Sequence, residues 1–161
     1  MEIQNQKIVI VESELDTAKF IAKKLTISGY QVYLSTNGKE GLFQFFKEKP
    51  DLVIIDLLLS KQDGYQVCQK IRENSKIPIL ILTSQNRVSD KVMSFELGAN
   101  DFFIKPFSFF ELEARIRSLL RDFNQQNNHV LEKDKKIKVG KIDIKVDRGD
   151  GSKNKAIVKI T

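Results

Sequence analysis

Short apolar runs rich in β-branched residues recur along residues 7–122, at Lys7–Val11, Gln31–Leu34, Leu52–Ile55, Ile79–Leu82 and Asp101–Ile104. Each is followed by a stretch with helical periodicity. This alternation predicts parallel strands joined by helical crossovers. Leu52–Ile55 and Ile79–Leu82 are apolar at every position, which predicts central strands covered by helices on both faces. Helical stripes are formed by Leu15, Ala18, Ala22 and Leu25, by Tyr65, Cys68 and Ile71, and by Phe109, Leu112, Ile116 and Leu119. Gly29 can end the first helix in a left-handed conformation that a branched residue adopts only at a cost. Five strand–helix units within about 120 residues define an α/β, flavodoxin-like (βα)5 plan, a doubly wound parallel sheet with strand order 2-1-3-4-5.

The pattern changes after Arg121. Asp122-Phe-Asn-Gln-Gln-Asn-Asn-His129 has no apolar period and reads as a connection between domains. Beyond it Ile137, Val139, Ile142, Ile144 and Val146 approximate a period of two, Arg148–Ser152 supplies turn chemistry, and Ile157, Val158 and Ile160 begin another strand. The expected organisation is a domain over residues 1–122, a linker over 123–135 and a small antiparallel β element over 136–161. A few short strands lacking a covering helix bury too little surface to be stable alone.

Composition sharpens this division. The net charge of +6 is uneven, because residues 123–161 hold 10 Lys/Arg against 5 Asp/Glu, leaving 17 against 16 for residues 1–122. The tail therefore suits an anionic partner, or is simply a solvated lysine-rich segment. One cysteine, Cys68, cannot form an internal disulfide, and one histidine, His129, leaves no Cys/His cluster for zinc, so a reducing compartment is expected. Met1–Gln6 is polar and Ile8–Val11 is too short to span a bilayer; a soluble protein without membrane contact is expected.

In a doubly wound sheet, ligands gather at the carboxyl ends of the strands near the point where strand order reverses. Four polar clusters fall there: Glu12-Ser13-Glu14, Asp56, Thr83-Ser84 and Lys105-Pro106. Taken singly they are a helix cap, a backbone-satisfying hydroxyl and a solvated lysine. Together they place an aspartate flanked by apolar Ile55 and Leu57 opposite a hydroxyl and an ammonium group, a set equipped for attack on a phosphoryl donor. The lysine can pair with phosphate oxygens and the hydroxyl can donate to them.

At these residues a resemblance becomes specific. Pro50-Asp-Leu-Val-Ile-Ile-Asp56, Asp63-Gly64, Leu82-Thr83-Ser84 and Gly98-Ala-Asn-Asp-Phe-Phe-Ile-Lys-Pro-Phe107 resemble the response-regulator receiver family, and the match extends over residues 7–122. The resemblance implies a signalling domain, not an enzyme. In it Asp56 is the phosphoacceptor, Thr83 the hydroxyl that turns inward on phosphorylation, Lys105 the phosphate-pairing cation and Phe102 an aromatic switch. A plain core aromatic is the other reading of Phe102. The resemblance also implies Mg²⁺ held by Glu12, Asp56 and the backbone carbonyl of Leu58. One departure stands out: the family usually has two adjacent acids after the first strand, and here they are Glu12-Ser13. Magnesium prefers charged oxygen ligands, so Ser13 is expected to weaken the metal site, with Glu12 or Glu14 as imperfect substitutes. The rival within the fold is a pseudo-receiver acting by phosphorylation-independent dimerisation or partner binding.

Within receivers, Lys91, Asp101, Glu111 and Arg115 stand where the OmpR/PhoB subfamily carries charges that pair across a symmetric homodimer of the fourth helix, fifth strand and fifth helix. Val88 and Phe95, seven residues apart, could supply its apolar centre. Lys138–Ile144 and Val158–Thr161 look like the opening sheet of that subfamily's winged-helix DNA-binding domain, whose groove-entering helix lies beyond the given sequence. The implied partners are a sensor histidine kinase, a second copy of the chain, and DNA through a complete output domain. Similarity to cyanobacterial and algal-plastid members points to a bacterial cytosol or plastid stroma. The remaining alternative, a flavodoxin-like nucleotide-binding enzyme, is disfavoured because Glu12-Ser-Glu-Leu-Asp16 has no glycine to cradle a phosphate.

Overall fold

The computed structural model of the chain describes residues 5–59 and 61–139, with the side chains of 61–63 and 128–139 outside the description. Strands β1 (Lys7–Val11), β2 (Gln31–Ser35), β3 (Leu52–Asp56), β4 (Ile79–Thr83) and β5 (Asp101–Ile104) alternate with helices α1 (Leu15–Ile27), α2 (Gly38–Glu48), α3 (Lys61–Asn74), α4 (Val88–Glu96) and α5 (Phe109–Val139). The strands form one parallel sheet in the order β2-β1-β3-β4-β5. The doubly wound plan expected from the apolar pattern is therefore the fold.

Every residue of β3 and β4 is buried, as continuous apolar runs demand of central parallel strands. Side chains alternate across the sheet. Ile8, Ile10, Leu52, Ile54, Leu80 and Leu82 face a core shared with Ile21 and Leu25 of α1 and Leu112, Ile116 and Leu120 of α5. The buried stripe of α1 is Ala18, Ile21 and Leu25; of the positions expected from periodicity Ala18 and Leu25 are buried, Ala22 packs at the edge of the core, Leu15 is half exposed, and Ile21 joins the stripe. Ile21 wins because it reaches the sheet with a larger apolar surface than Ala22. Gly29 does end this helix at φ 107°, in the left-handed region. At α2, Asn37 accepts a hydrogen bond from the Glu40 amide at 2.8 Å, and Glu40 reaches back to the Thr36 amide at 3.2 Å, a reciprocal cap that fixes the helix start.

The principal difference lies after Arg121. Helix α5 continues through the residues 123–135 read as a linker and reaches Val139, so Ile137 and Val139 are helical, not the first residues of a strand. From Phe107 to Val139 the chain has no glycine or proline, and its Gln, Glu, Lys and Leu residues lose little freedom in a helix. The first compact unit closes at Leu120. The rest of the expected antiparallel element, residues 140–161, lies outside the described residues. Among the described residues no helix is long and apolar enough to cross a membrane.

Ile54 is 1% exposed at the centre of the sheet and packs toward α1 and α5. Ile54→Ala is expected to cost about 2–5 kcal/mol of stability, the usual range for a truncated core isoleucine, measured as a lowered urea midpoint with an unchanged slope.

Candidate functional site

The parallel register brings four strand ends together. Val11 pairs with Ile55, Asp56 with Leu82, and Thr83 with Ile104, so Glu12, Asp56, Thr83 and Lys105 emerge within one residue of a common level. Asp56 and Thr83 are the last residues of β3 and β4, one position further into the sheet than the apolar runs alone indicated. The site lies where the strand order reverses between β1 and β3.

Glu12 and Asp56 are only 1% and 3% exposed. Lys105 answers both: its Nζ lies 3.0 Å from Glu12 Oε1 and 3.2 Å from Asp56 Oδ2, with Glu14 Oε1 at 3.5 Å. The contact to Glu12 has ion-pair distance without hydrogen-bond alignment, so Oε1 remains a buried oxygen that accepts no hydrogen bond. Asp56 Oδ1 accepts from the Leu58 amide at 2.9 Å, which orients the carboxylate, and Glu12 Oε2 accepts from the Glu14 amide at 3.0 Å. Burial, then hydrogen bonding to Asp56 and its charge, push Glu12 up to about 7 against the pull of the Glu14 amide and Lys105. For Lys105, burial acts downward, but the adjoining Glu12 and Asp56 carboxyl groups outweigh it, leaving the amine above its ordinary value. The lysine is therefore a permanent cation facing two acids in a poorly hydrated seat.

Thr83 is fully buried, and its Oγ1 accepts from the Gln85 amide at 3.2 Å. The Lys105 amide donates to the Thr83 carbonyl at 2.8 Å, and the Lys105-Pro106 bond is cis. Ser13 is exposed, while Glu14, which accepts from the Thr17 hydroxyl at 2.8 Å, reaches Lys105 alongside Glu12. An open cleft of about 620 Å³, bounded by Glu14, Thr17, Phe20, Ser84, Lys105 and Phe107, gives solvent access beside the lysine.

The residues read as a dimer surface lie apart from this pocket. Val88 and Phe95 on α4 are 77% and 42% exposed, and Lys91 and Glu111 are exposed. Asp101 and Arg115 pair with each other inside the chain at 2.6 Å, and the Arg115 guanidinium also lies over the Phe103 ring. Phe102 is half-buried, its ring 6.5 Å from that of Phe95, so it is an edge aromatic and not a deep core one. Val92 and Met93 enlarge the exposed apolar surface of α4 and were missed from sequence. Val92 could have been found, since it lies four residues after Val88 on the same stripe.

The receiver-domain family of response regulators matches residues 8–117, and the chain belongs to that family. Response regulators that act on transcription are non-enzymatic signalling proteins. The chain is 40% identical over 160 residues to a probable transcriptional regulator ycf27 of Porphyridium aerugineum, covering 99% of this chain and 67% of that protein. It is 47% identical to the ycf27 regulator of Pyropia yezoensis over 75% of this chain and 50% of the relative, and 44% identical to the transcriptional regulatory protein PcoR of Escherichia coli over 75% and 54%. The chain thus spans about half to two thirds of the length of these relatives. Among solved structures, the BeF3-activated receiver domain of Klebsiella pneumoniae RstA superposes with TM-score 0.69 at 34% identity, covering 72% of this chain and 99% of that one. A two-component response regulator from Clostridium difficile superposes with TM-score 0.72 at 29% identity over 74% and 99%.

Receiver domains bind Mg²⁺ at this position. The donors here suit a hard cation that keeps most of its waters: two buried carboxylates, one with an oxygen that accepts no hydrogen bond. Among the described residues no group of three or more His, Cys, Asp or Glu forms a cage. In the metal-free protein the raised Glu12 carboxyl holds its proton to higher pH folded than unfolded. Its contribution to stability is therefore full below its ordinary value of 4.5 and is lost as pH rises through about 7. Glu12→Gln should flatten this part of the stability profile and raise stability at pH 8 relative to the parent, read from urea midpoints across that range.

Proposed function

We propose that the domain is a phosphorylation switch whose acceptor is Asp56. The observation that carries this reading is the geometry at Asp56: a buried carboxylate with Oδ1 fixed by the Leu58 amide and Oδ2 paired to Lys105 at 3.2 Å. One carboxylate oxygen attacks the phosphorus of a phosphohistidine on a sensor kinase, or of a small acyl phosphate. The new P–O bond gives an acyl phosphate on Asp56 as the donor's P–N or P–O bond breaks. Lys105, already charged and positioned, pairs with the added phosphoryl oxygens, and Thr83 turns its hydroxyl toward them. Bound Mg²⁺, held by Glu12, Asp56 and the Leu58 carbonyl, would draw charge off the phosphoryl group.

With Ser13 in place of a second acid, metal affinity is lowered. The tethered Lys105 then supplies a larger share of the positive charge around Asp56. Phe102 sits against Phe95, and in this reading it carries the state of Thr83 to the α4 surface. There Val88, Phe95 and Val92 form the apolar centre of a homodimer, with Lys91, Glu111 and the Asp101–Arg115 pair setting its register. The relatives' names support an output in transcription: residues 1–122 act as the receiver, α5 extends beyond it to Val139, and residues 140–161 open a winged-helix DNA-binding domain. Their algal sources support a plastid stroma, and the Escherichia coli relative a bacterial cytosol. The exposed Ser13 also favours a second reading, a pseudo-receiver that dimerises without phosphate.

One experiment separates the two. Incubation with acetyl phosphate and Mg²⁺ should give a band retarded in a phosphate-affinity gel that Asp56→Ala abolishes; an unmodified wild-type chain that nevertheless dimerises would establish the pseudo-receiver. Ser13→Asp restores the missing charge. It is expected to tighten Mg²⁺ by roughly tenfold, the scale on which metal sites respond to changes in their surrounding shell, measured by isothermal titration.

A further inference from the structure

Helix α4 carries the exposed apolar stripe, yet of its nine residues only Ser94 is buried. Apolar packing therefore contributes little to its position, and polar contacts from α3 do more. Tyr65 Oη donates to Asp90 Oδ1 at 2.5 Å, Cys68 Sγ lies 3.7 Å from the Leu97 carbonyl, and the Arg72 guanidinium donates to the Gly98 carbonyl at 2.7 and 3.1 Å. Tyr65, Cys68 and Arg72 are spaced three and four residues apart and so share one face of α3. They engage α4 at its first turn and just past its end. Asp90 is the hub of that first turn: its other oxygen accepts from Arg87 Nε at 2.9 Å, and its carbonyl accepts from Ser94 Oγ at 2.8 Å.

The residue before Tyr65 connects this contact to the strand end. A Cβ on Gly64 would lie 2.7 Å from Leu57 Cα and 3.1 Å from the Asp56 carbonyl oxygen, so the first turn of α3 rests directly on the backbone that follows Asp56. Only a glycine permits this approach, which places Tyr65 one residue from the contact with that loop.

We infer that the Tyr65–Asp90 hydrogen bond is a latch that holds the first turn of α4 against α3. Through Gly64 it ties the freedom of α4 to the loop after Asp56, by a path separate from Thr83 and Phe102. The latch stands on the contacts alone; the tie to a phosphorylated Asp56 rests on the phosphoacceptor reading. The bond joins a neutral donor to a carboxylate, the stronger class of hydrogen bond, at a helix with few other restraints.

Amide hydrogen exchange on the full chain tests it. Tyr65→Phe keeps the ring and removes the donor, and it should accelerate exchange of the α4 amides Val92–Glu96 severalfold while β1, β3 and β4 exchange at the parental rate. Arg87→Ala, which removes a second partner of the Asp90 carboxylate, should leave α4 close to the parent. The latch is overturned by parental α4 exchange in Tyr65→Phe, by equal acceleration in the strands, or by an Arg87→Ala effect as large as that of Tyr65→Phe. Beryllofluoride, a phosphoryl mimic, is then added. A rise in α4 exchange that is smaller in Tyr65→Phe than in the parent supports the tie to Asp56, and an equal rise overturns it. No response in the parent would overturn the phosphoacceptor reading and the tie together, while leaving the latch.

Discussion

A lysine ammonium held among carboxylates organises the carboxyl edge of this sheet. Glu12 and Asp56 are almost fully buried, and two such acids cannot both ionise in a poorly hydrated seat without a counter-charge. Lys105 supplies it to both, from the end of a strand two positions away from β3. Removing either side would strand a buried charge, which costs more than the pair contributes. The same arrangement that stabilises the edge also prepares it for chemistry, because a cation already desolvated and aimed needs no reorganisation when new negative charge arrives.

That edge depends on strand register, which depends on apolar packing. The register is set by runs buried on both faces, and a slip of one residue would turn every core side chain to the wrong side. The chemical residues inherit this precision by being the last residues of their strands or the first beyond them. Helix α4 is built on the opposite principle. It buries one side chain, presents Val88, Val92, Met93 and Phe95 outward, and is located by hydrogen bonds to α3 and by the Phe95–Phe102 ring contact. A rigid strand edge beside a lightly held helix is a combination in which a local charge change can move one element without unfolding the rest.

Much of this was legible in the sequence. The βα alternation and the all-apolar runs identified the sheet and its central strands, because a continuous apolar run is a direct imprint of burial, and the strand order followed from the flavodoxin-like plan. Glu12, Asp56, Thr83 and Lys105 could be grouped without coordinates, since each follows an apolar run and parallel strands end on one side. Ser13 was visible as a departure from sequence alone.

Other features were decided only by the tertiary structure. The buried stripe of α1 includes Ile21 and not Leu15, because helical periodicity leaves the edges of the stripe open until the sheet selects a face. Residues 123–135 are mostly polar but helical, since a run without glycine or proline can form a helix without an amphipathic period. Nothing in local spacing pairs Asp101 with Arg115, brings Glu14 to Lys105, or joins Tyr65 to Asp90 across 25 residues. Apolar patterning determines which residues go inside, because the hydrophobic effect has no direction. Which polar atoms meet is directional, and it is settled only when the helices take their places on the sheet.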